Sequence, residues 1–153
     1  MEIRTLSKSL DDTKKLANLI SKALFKGAVI SLDGDLGAGK TTFTKSLAKG
    51  LGIEEEVSSP TFNILKCYFK GRLPLYHIDA YRLEDHVNMD IGLEEVIEGD
   101  GVCVIEWGKF IEEMIFEPLE IKITILNENE REFVISSSYQ KYQEIFKILE
   151  KEL

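Results

Sequence analysis

Gly34-Asp35-Leu36-Gly37-Ala38-Gly39-Lys40-Thr41 satisfies every fixed position of the pattern G-x-x-x-x-G-K-[ST]. Such a loop works only where a strand enters it and a helix leaves it. The flanks comply: residues 28–32 (Ala-Val-Ile-Ser-Leu) read as a short buried strand. Residues 42–51 read as a helix with Phe43, Leu47, Ala48 and Leu51 on one face. Glycines let the backbone wrap tightly round an anion, and the freed amides of the loop and helix start then point at phosphate. Asp35, Gly37, Ala38, Gly39, Lys40, Thr41 and Thr42 are therefore the candidate nucleotide-binding positions. Lys40 supplies a point charge for the β- and γ-phosphates, and the Thr41 hydroxyl is a ligand for Mg²⁺. A glycine-rich turn that merely caps a helix is the simpler alternative. Strand, loop and helix in register argue against it, and the expectation is a nucleoside triphosphate site.

The remaining chain has to supply a sheet for that loop. Residues 3–6 suggest an edge strand. Ser9 is placed to cap a helix whose first turn carries Asp11 and Asp12, with Leu16, Ile20, Ala23 and Leu24 as its apolar stripe and Gly27 as its stop. Residues 63–69 and 75–79 read as strands joined by a hairpin-type link at 70–74. Residues 84–98 read as helix or loop broken near Gly92. Val102-Cys103-Val104-Ile105 is a fully apolar run typical of a buried strand. Residues 119–126 and 131–136 alternate around Asn127-Glu128-Asn129-Glu130, a second hairpin. Tyr142, Ile145, Phe146, Leu149 and Leu153 mark a last amphipathic helix. The expectation is one α/β domain over residues 1–153, a P-loop NTPase-like three-layer sandwich on a mixed, mainly parallel sheet with hairpin extensions.

At 153 residues the chain can bury a substantial core. A net charge of −8 disfavours direct contact with a phosphate backbone, so any nucleic acid is expected to be held by another protein. No stretch reaches membrane-spanning length, and the first residues lack the basic-then-apolar form of a signal peptide. Cys67 and Cys103 are read as reduced core residues of a cytoplasmic protein, and two cysteines with two histidines leave little scope for a zinc cage.

Two predicted strands end in a carboxylate, Leu75-Tyr76-His77-Ile78-Asp79 and Val102-Cys103-Val104-Ile105-Glu106. Strand carboxyl ends face the ligand crevice in open α/β sheets, so Asp79 and Glu106 are candidates for the metal and the attacking water. Isolated strand-end acids are also common as turn caps. Thr61 follows Lys40 by 21 residues (61 − 40) in a Ser59-Pro60-Thr61-Phe62 loop, where a switch threonine or a plain turn would both fit. Trp107, the only tryptophan, follows Glu106 and on composition alone reads as a core aromatic. His77 reads as packed or hydrogen-bonded, and His86 as a surface residue.

The succession of the phosphate loop with Thr42, then Ser59-Pro60-Thr61-Phe62, His77-Ile78-Asp79-Ala80-Tyr81-Arg82-Leu83 and Ile105-Glu106-Trp107, resembles the TsaE (YjeE) family of small bacterial ATPases. The likeness spans roughly residues 9–136 and leaves the helix at 139–153 outside. It implies ATP and Mg²⁺ as cofactors and a role in making threonylcarbamoyladenosine (t6A) at position 37 of tRNAs that read codons beginning with A. It also implies TsaD and TsaB as partners, with tRNA met through them. On this likeness Lys40, Thr41 and Thr42 serve phosphates and magnesium, Asp79 serves the metal, and Thr61 belongs to a switch-like loop. Glu106, a candidate metal ligand as well, and Trp107 serve turnover or its coupling to the partners. Thr13 matches a threonine near the nucleotide. The family's Glu-Trp pair is usually followed shortly by another acid, where this chain has Gly108-Lys109.

Of three rivals two are weaker, and sequence does not separate the third. A small-molecule kinase needs cationic lid groups, and the chain has only Arg4, Arg72, Arg82 and Arg131, with no Arg-rich segment. A GTPase switch lacks its Asn-Lys-x-Asp and Asp-x-x-Gly signatures here. A nucleotide-dependent docking module without useful turnover overlaps the family reading.

Overall fold

Side-chain alternation decides which strands lie at the centre. β5 (Val102–Glu106) is buried at every position, so both of its faces are covered, whereas β6 (Leu119–Ile125) buries Leu119, Ile121 and Ile123 and exposes Glu120 and Lys122. The computed structural model describes residues 1–35, 37–57, 64–81 and 92–153. With β1 (Glu2–Ser7), β2 (Val29–Gly34), β3 (Leu65–Tyr68), β4 (Leu75–Asp79) and β7 (Arg131–Ser136) these strands form one seven-stranded sheet, in the order β1-β7-β6-β2-β5-β4-β3. Neighbours β6, β2, β5 and β4 are parallel. β7 runs antiparallel to both β6 and β1, and β3 antiparallel to β4. Thus β1, β2, β4, β5 and β6 share one direction, the expected mixed, mainly parallel sheet with hairpin extensions. Residues 58–63 and 82–91, which include Thr61, Arg82 and His86, and Leu36 of the loop lie outside the described residues.

Three helices cover one face: α1 (Leu10–Ser21), α2 (Lys40–Gly50) and, after α3 (Leu93–Ile97), α4 (Gln143–Glu152). Leu16 and Ile20 of α1, Phe43 and Leu47 of α2, and Ile145 and Leu149 of α4 close over Ile30, Leu32, Val104 and Phe133. The other face is covered by α3 and a 3-10 stretch, Gly108–Met114, which pack on Val29, Ile78, Cys103 and Ile105. This second layer stops short of β6, whose Glu120 and Lys122 are exposed. Among the described residues no helix is long and apolar enough to cross a membrane.

Local chemistry sets the helix ends. Ser9 caps α1 as expected, its hydroxyl accepting from the Asp12 amide at 3.2 Å, an interaction worth about 1 kcal/mol. The stripe predicted through Ala23 and Leu24 ends earlier, at Ser21. Tight turns take over, and the Arg72 guanidinium donates to Ser21 O at 2.8 Å and Leu24 O at 3.2 Å, satisfying carbonyls the helix leaves open. The Arg72 amide also donates to Leu51 O at 2.7 Å, so one hairpin residue ties the ends of α1 and α2 together. The two helices touch where α2 has Gly50, since a Cβ there would collide with the Ser21 side chain.

Two further expectations are corrected. Cys67 is exposed, because alternation on the short edge strand β3 turns it outward, while Cys103 is buried and its thiol is pushed up to about 12 by burial. Leu153 is exposed, lying beyond the last turn of α4. The 3-10 stretch after Trp107 was legible as neither helix nor strand, being short and lacking either period.

The C-terminal helix has a definite attachment. The Val29 amide donates to the Tyr142 hydroxyl at 2.8 Å, and that hydroxyl donates to Val29 O at 3.1 Å. Tyr142 is 2 % exposed, so both groups of the strand that leads to the phosphate loop depend on one buried oxygen. Tyr142→Phe is expected to cost about 1–3 kcal/mol in urea unfolding, the range for stranding a buried polar group. A loss below 0.5 kcal/mol would show that the hydroxyl is dispensable.

Candidate active site

β2, β5 and β4 deliver the loop and both acids to the same sheet edge because they run in parallel. β2 ends at Gly34 and leads into the phosphate loop, and Asp79 and Glu106 are register partners at the ends of β4 and β5. A period of two along the strands puts His77 and Asp79 on one face, with Glu106 beside them. α2 then starts with Gly39 at its N-cap (φ +107°) and no side-chain cap. Its first amides are therefore left for an anion, and glycine carries the left-handed backbone at that point. Thr41 and Thr42 sit in the first turn, and among the described residues neither hydroxyl has a hydrogen-bond partner.

Glu106 is the hub. One carboxylate oxygen, Oε2, accepts from His77 Nε2 at 2.7 Å, and the other, Oε1, lies 3.6 Å from Lys40 Nζ. A carboxylate only accepts, so Nε2 carries the proton. His77 is completely buried, and its Nδ1 has no partner among the described residues. Burial works to raise the Glu106 carboxyl above its ordinary 4.5. The hydrogen bond and electrostatic pull of His77, followed by those of Lys40, outweigh burial and hold it lower.

An aromatic cluster closes the other side of Lys40. Its ammonium lies 5.0 Å from the centroid of the Trp107 ring, a cation–π contact, and Lys109 approaches the same ring at 5.3 Å. Trp107 packs with Tyr81 at 5.1 Å and stacks on Phe110 at 6.1 Å. It adopts the left-handed region at φ +59°, a conformation that costs a non-glycine residue about 1–2 kcal/mol. That turn brings the chain out of β5 and sets the indole against Lys40 while it still packs on the second core cluster, so the core-aromatic reading is half right.

Asp79 is half-buried, and its carboxylate accepts from the Tyr81 amide at 3.1 Å. Asp79 and the Thr41 hydroxyl are hard oxygen donors of the kind Mg²⁺ takes. Both Glu106 oxygens are already engaged, so Asp79 fits the role of metal ligand better. Thr13 is buried in α1, and its hydroxyl is paired with that of Ser7 at 2.7 Å, directed to β1. The phosphate loop has one contact the sequence did not signal. Arg131, at the start of β7, donates to Ala38 O at 3.1 Å and Gly37 O at 3.4 Å. No local pattern links residues 93 apart.

A carboxyl whose value is lowered on folding stabilises the fold fully above its unfolded value and loses that contribution as pH falls through the folded one. The native chain is therefore expected to lose stability relative to Glu106→Gln as pH falls below about 4.5. Urea unfolding of both from pH 4.5 downward measures it; the absence of any relative loss in that range would show that the carboxyl is not held low.

The family model for threonylcarbamoyl adenosine biosynthesis protein TsaE matches residues 7–134. The chain is 48 % identical over 134 residues to the tRNA threonylcarbamoyladenosine biosynthesis protein TsaE of Bacillus subtilis, covering 87 % of this chain and 84 % of that one. It is 43 % identical over 136 residues to the protein of the same name from Treponema pallidum, covering 88 % and 100 %. The crystal structure of YdiB from Bacillus subtilis superposes with a TM-score of 0.85 at 38 % identity, covering 99 % of this chain and 95 % of that one, so its match reaches the C-terminal helix too. A family model matched over most of the chain, and relatives this similar over most of their own length, place the protein in the TsaE family of threonylcarbamoyl adenosine biosynthesis proteins.

Proposed function

We propose that this protein is a Mg²⁺-dependent ATPase that acts on a TsaD–TsaB complex and so supports t6A formation at A37 of tRNA. The observation that carries the proposal is the placement of Lys40 between the start of α2 and Glu106. One cation that can neutralise phosphate thus stands against a carboxylate that can manage water.

The residues divide the work as follows. A triphosphate in the loop competes with Glu106 for Lys40, whose ammonium then stabilises the charge that spreads over the γ-phosphate. The open amides at the start of α2 hold the phosphate oxygens. Thr41 and Asp79 are the residues that would hold Mg²⁺. Held there, the ion would supply positive charge that offsets the charge gathering on the leaving phosphate. Release of Lys40 frees Glu106 Oε1, while His77 keeps hold of Oε2 and fixes the plane of the carboxylate. Glu106 Oε1 then takes the proton of a water whose oxygen bonds to the γ-phosphorus as the bond to ADP breaks. Trp107 confines the Lys40 ammonium to the short path between carboxylate and phosphate. Thr42 serves the phosphates, Thr61 serves as a switch residue, and Thr13 contributes from α1 in this scheme.

Lys40→Ala is expected to weaken Mg·ATP binding by about thirtyfold, or about 2 kcal/mol for a lost charge-assisted contact. Glu106→Ala is expected to leave binding within a few-fold and lower kcat by about 10²–10⁴, the usual worth of a general base. Steady-state ATP hydrolysis, alone and with TsaD, TsaB and substrate tRNA, tests the function itself. Stimulation by the partners that disappears in Glu106→Ala supports the proposal. Hydrolysis that the partners leave unchanged would confine the protein to a plain ATPase.

A further inference from the structure

We infer that Arg131 is a positioning residue that presets the phosphate loop for its ligand by tying the loop's outer carbonyls to the β6–β7 hairpin. The inference rests on the reading above that this loop binds a triphosphate. Its evidence is the set of partners Arg131 has chosen. Nε donates to Ala38 O at 3.1 Å and Nη2 to Gly37 O at 3.4 Å. Nη1 donates to Asn127 O at 2.7 Å, to Glu130 O at 3.0 Å and to Glu128 O at 3.4 Å. All five acceptors are backbone carbonyls, and among the described residues no carboxylate pairs with this guanidinium. An arginine one residue from Glu130 and Glu132 and three from Glu128 would ordinarily seek one of them. This one bridges two pieces of backbone.

The hairpin end of the bridge is firm. Asn127 Oδ1 accepts from the amides of Asn129 and Glu130 at 3.0 Å each, and Asn127 Nδ2 donates to Glu130 Oε1 at 2.7 Å. At the loop end the Ala38 side chain is buried in the core, but the glycines on either side of it are open. Gly37 (φ +83°) and Gly39 (φ +107°) flank Ala38, and a Cβ on either glycine would meet nothing within 4 Å. Glycines lose the most conformational freedom on ordering, so an untethered loop would pay that cost each time it closed on phosphate.

The geometry of the peptide bond turns this tether into ligand binding. A trans peptide is planar, with its C=O and N–H pointing opposite ways. Drawing the Ala38 carbonyl outward toward Arg131 therefore turns the Gly39 amide inward, to the side on which Lys40 and α2 begin. The Ala38 amide itself donates to Asp35 O at 3.0 Å, which closes the turn behind it. Only a planar fork with separated donors reaches loop and hairpin at once; a lysine ammonium in its place is a single point.

The test compares the native chain with Arg131→Ala and Arg131→Lys. Mg·ATP affinity is measured by calorimetric titration, kcat and KM by steady-state hydrolysis, and exchange of the Gly39 amide by NMR without nucleotide. Both variants are expected to bind Mg·ATP about tenfold more weakly, with kcat at saturation within about twofold, because preorganisation acts on binding. The Gly39 amide is expected to exchange faster in both. A lysine variant that keeps native affinity would overturn the inference in favour of simple charge attraction. Native affinity in both variants would overturn it outright. If the native chain binds no Mg·ATP, the nucleotide reading fails, while unchanged Gly39 exchange would separately remove Arg131 as the loop's tether. A purely structural loss would lower the melting temperature and leave the affinity of the folded fraction unchanged, which also counts against it.

Discussion

A carboxylate with 8 % of its side chain exposed has to be satisfied on both oxygens, and Glu106 is satisfied by two cation-forming side chains from different elements. That single requirement organises the site. His77 must come from the neighbouring parallel strand in matching register, and Lys40 must come from the first residue of α2. The strand order β2-β5-β4 is the arrangement that brings both to the end of β5. Removing either partner would strand a charge in a place with little water. The same arrangement gives the two oxygens different futures, since a buried histidine has nowhere to go and a lysine at the mouth of a phosphate loop has an alternative anion.

The supports for this centre are bonds from distant side chains to backbone groups. Tyr142 holds the start of β2, Arg72 holds the ends of α1 and α2, and Arg131 holds the outside of the phosphate loop. Each partner pair is far apart in sequence, and each backbone group is one that regular secondary structure leaves unpaired. The chain uses at least these two of its four arginines as backbone ties, which fits the lack of a cationic lid noted from sequence. Trp107 adds strain at the one place where the chain must turn sharply out of a fully buried strand.

The sequence was most legible where a local pattern carries the physics. The phosphate loop, the Ser9 cap, the buried run at 102–105 and both hairpins declared themselves through spacing and turn residues, and the strand-end acids through their position. Misreadings came where tertiary contacts override local pattern. Apolar Ala23 and Leu24 continue a helical stripe on paper, but Arg72 captures the carbonyls and the helix stops. Cys67 looks like a core residue until β3 proves to be a four-residue edge strand. His77 reads as packed or hydrogen-bonded, yet its partner depends on which strand lies beside β4. Arg131 gave no signal, because its role arises only when a hairpin folds back on a loop 93 residues away.

The central claim is that Lys40 exchanges Glu106 for phosphate when ATP binds, shifting its place over the Trp107 ring. The chain's only tryptophan lies 5.0 Å from that ammonium, so its fluorescence reads the exchange directly. Titrating the protein with Mg·ATP, with equilibrium dialysis run on the same samples, is predicted to give a saturable change in Trp107 emission that tracks binding. An unchanged spectrum at concentrations where dialysis shows the site filled would contradict the exchange, and absence of binding by dialysis would contradict the site itself.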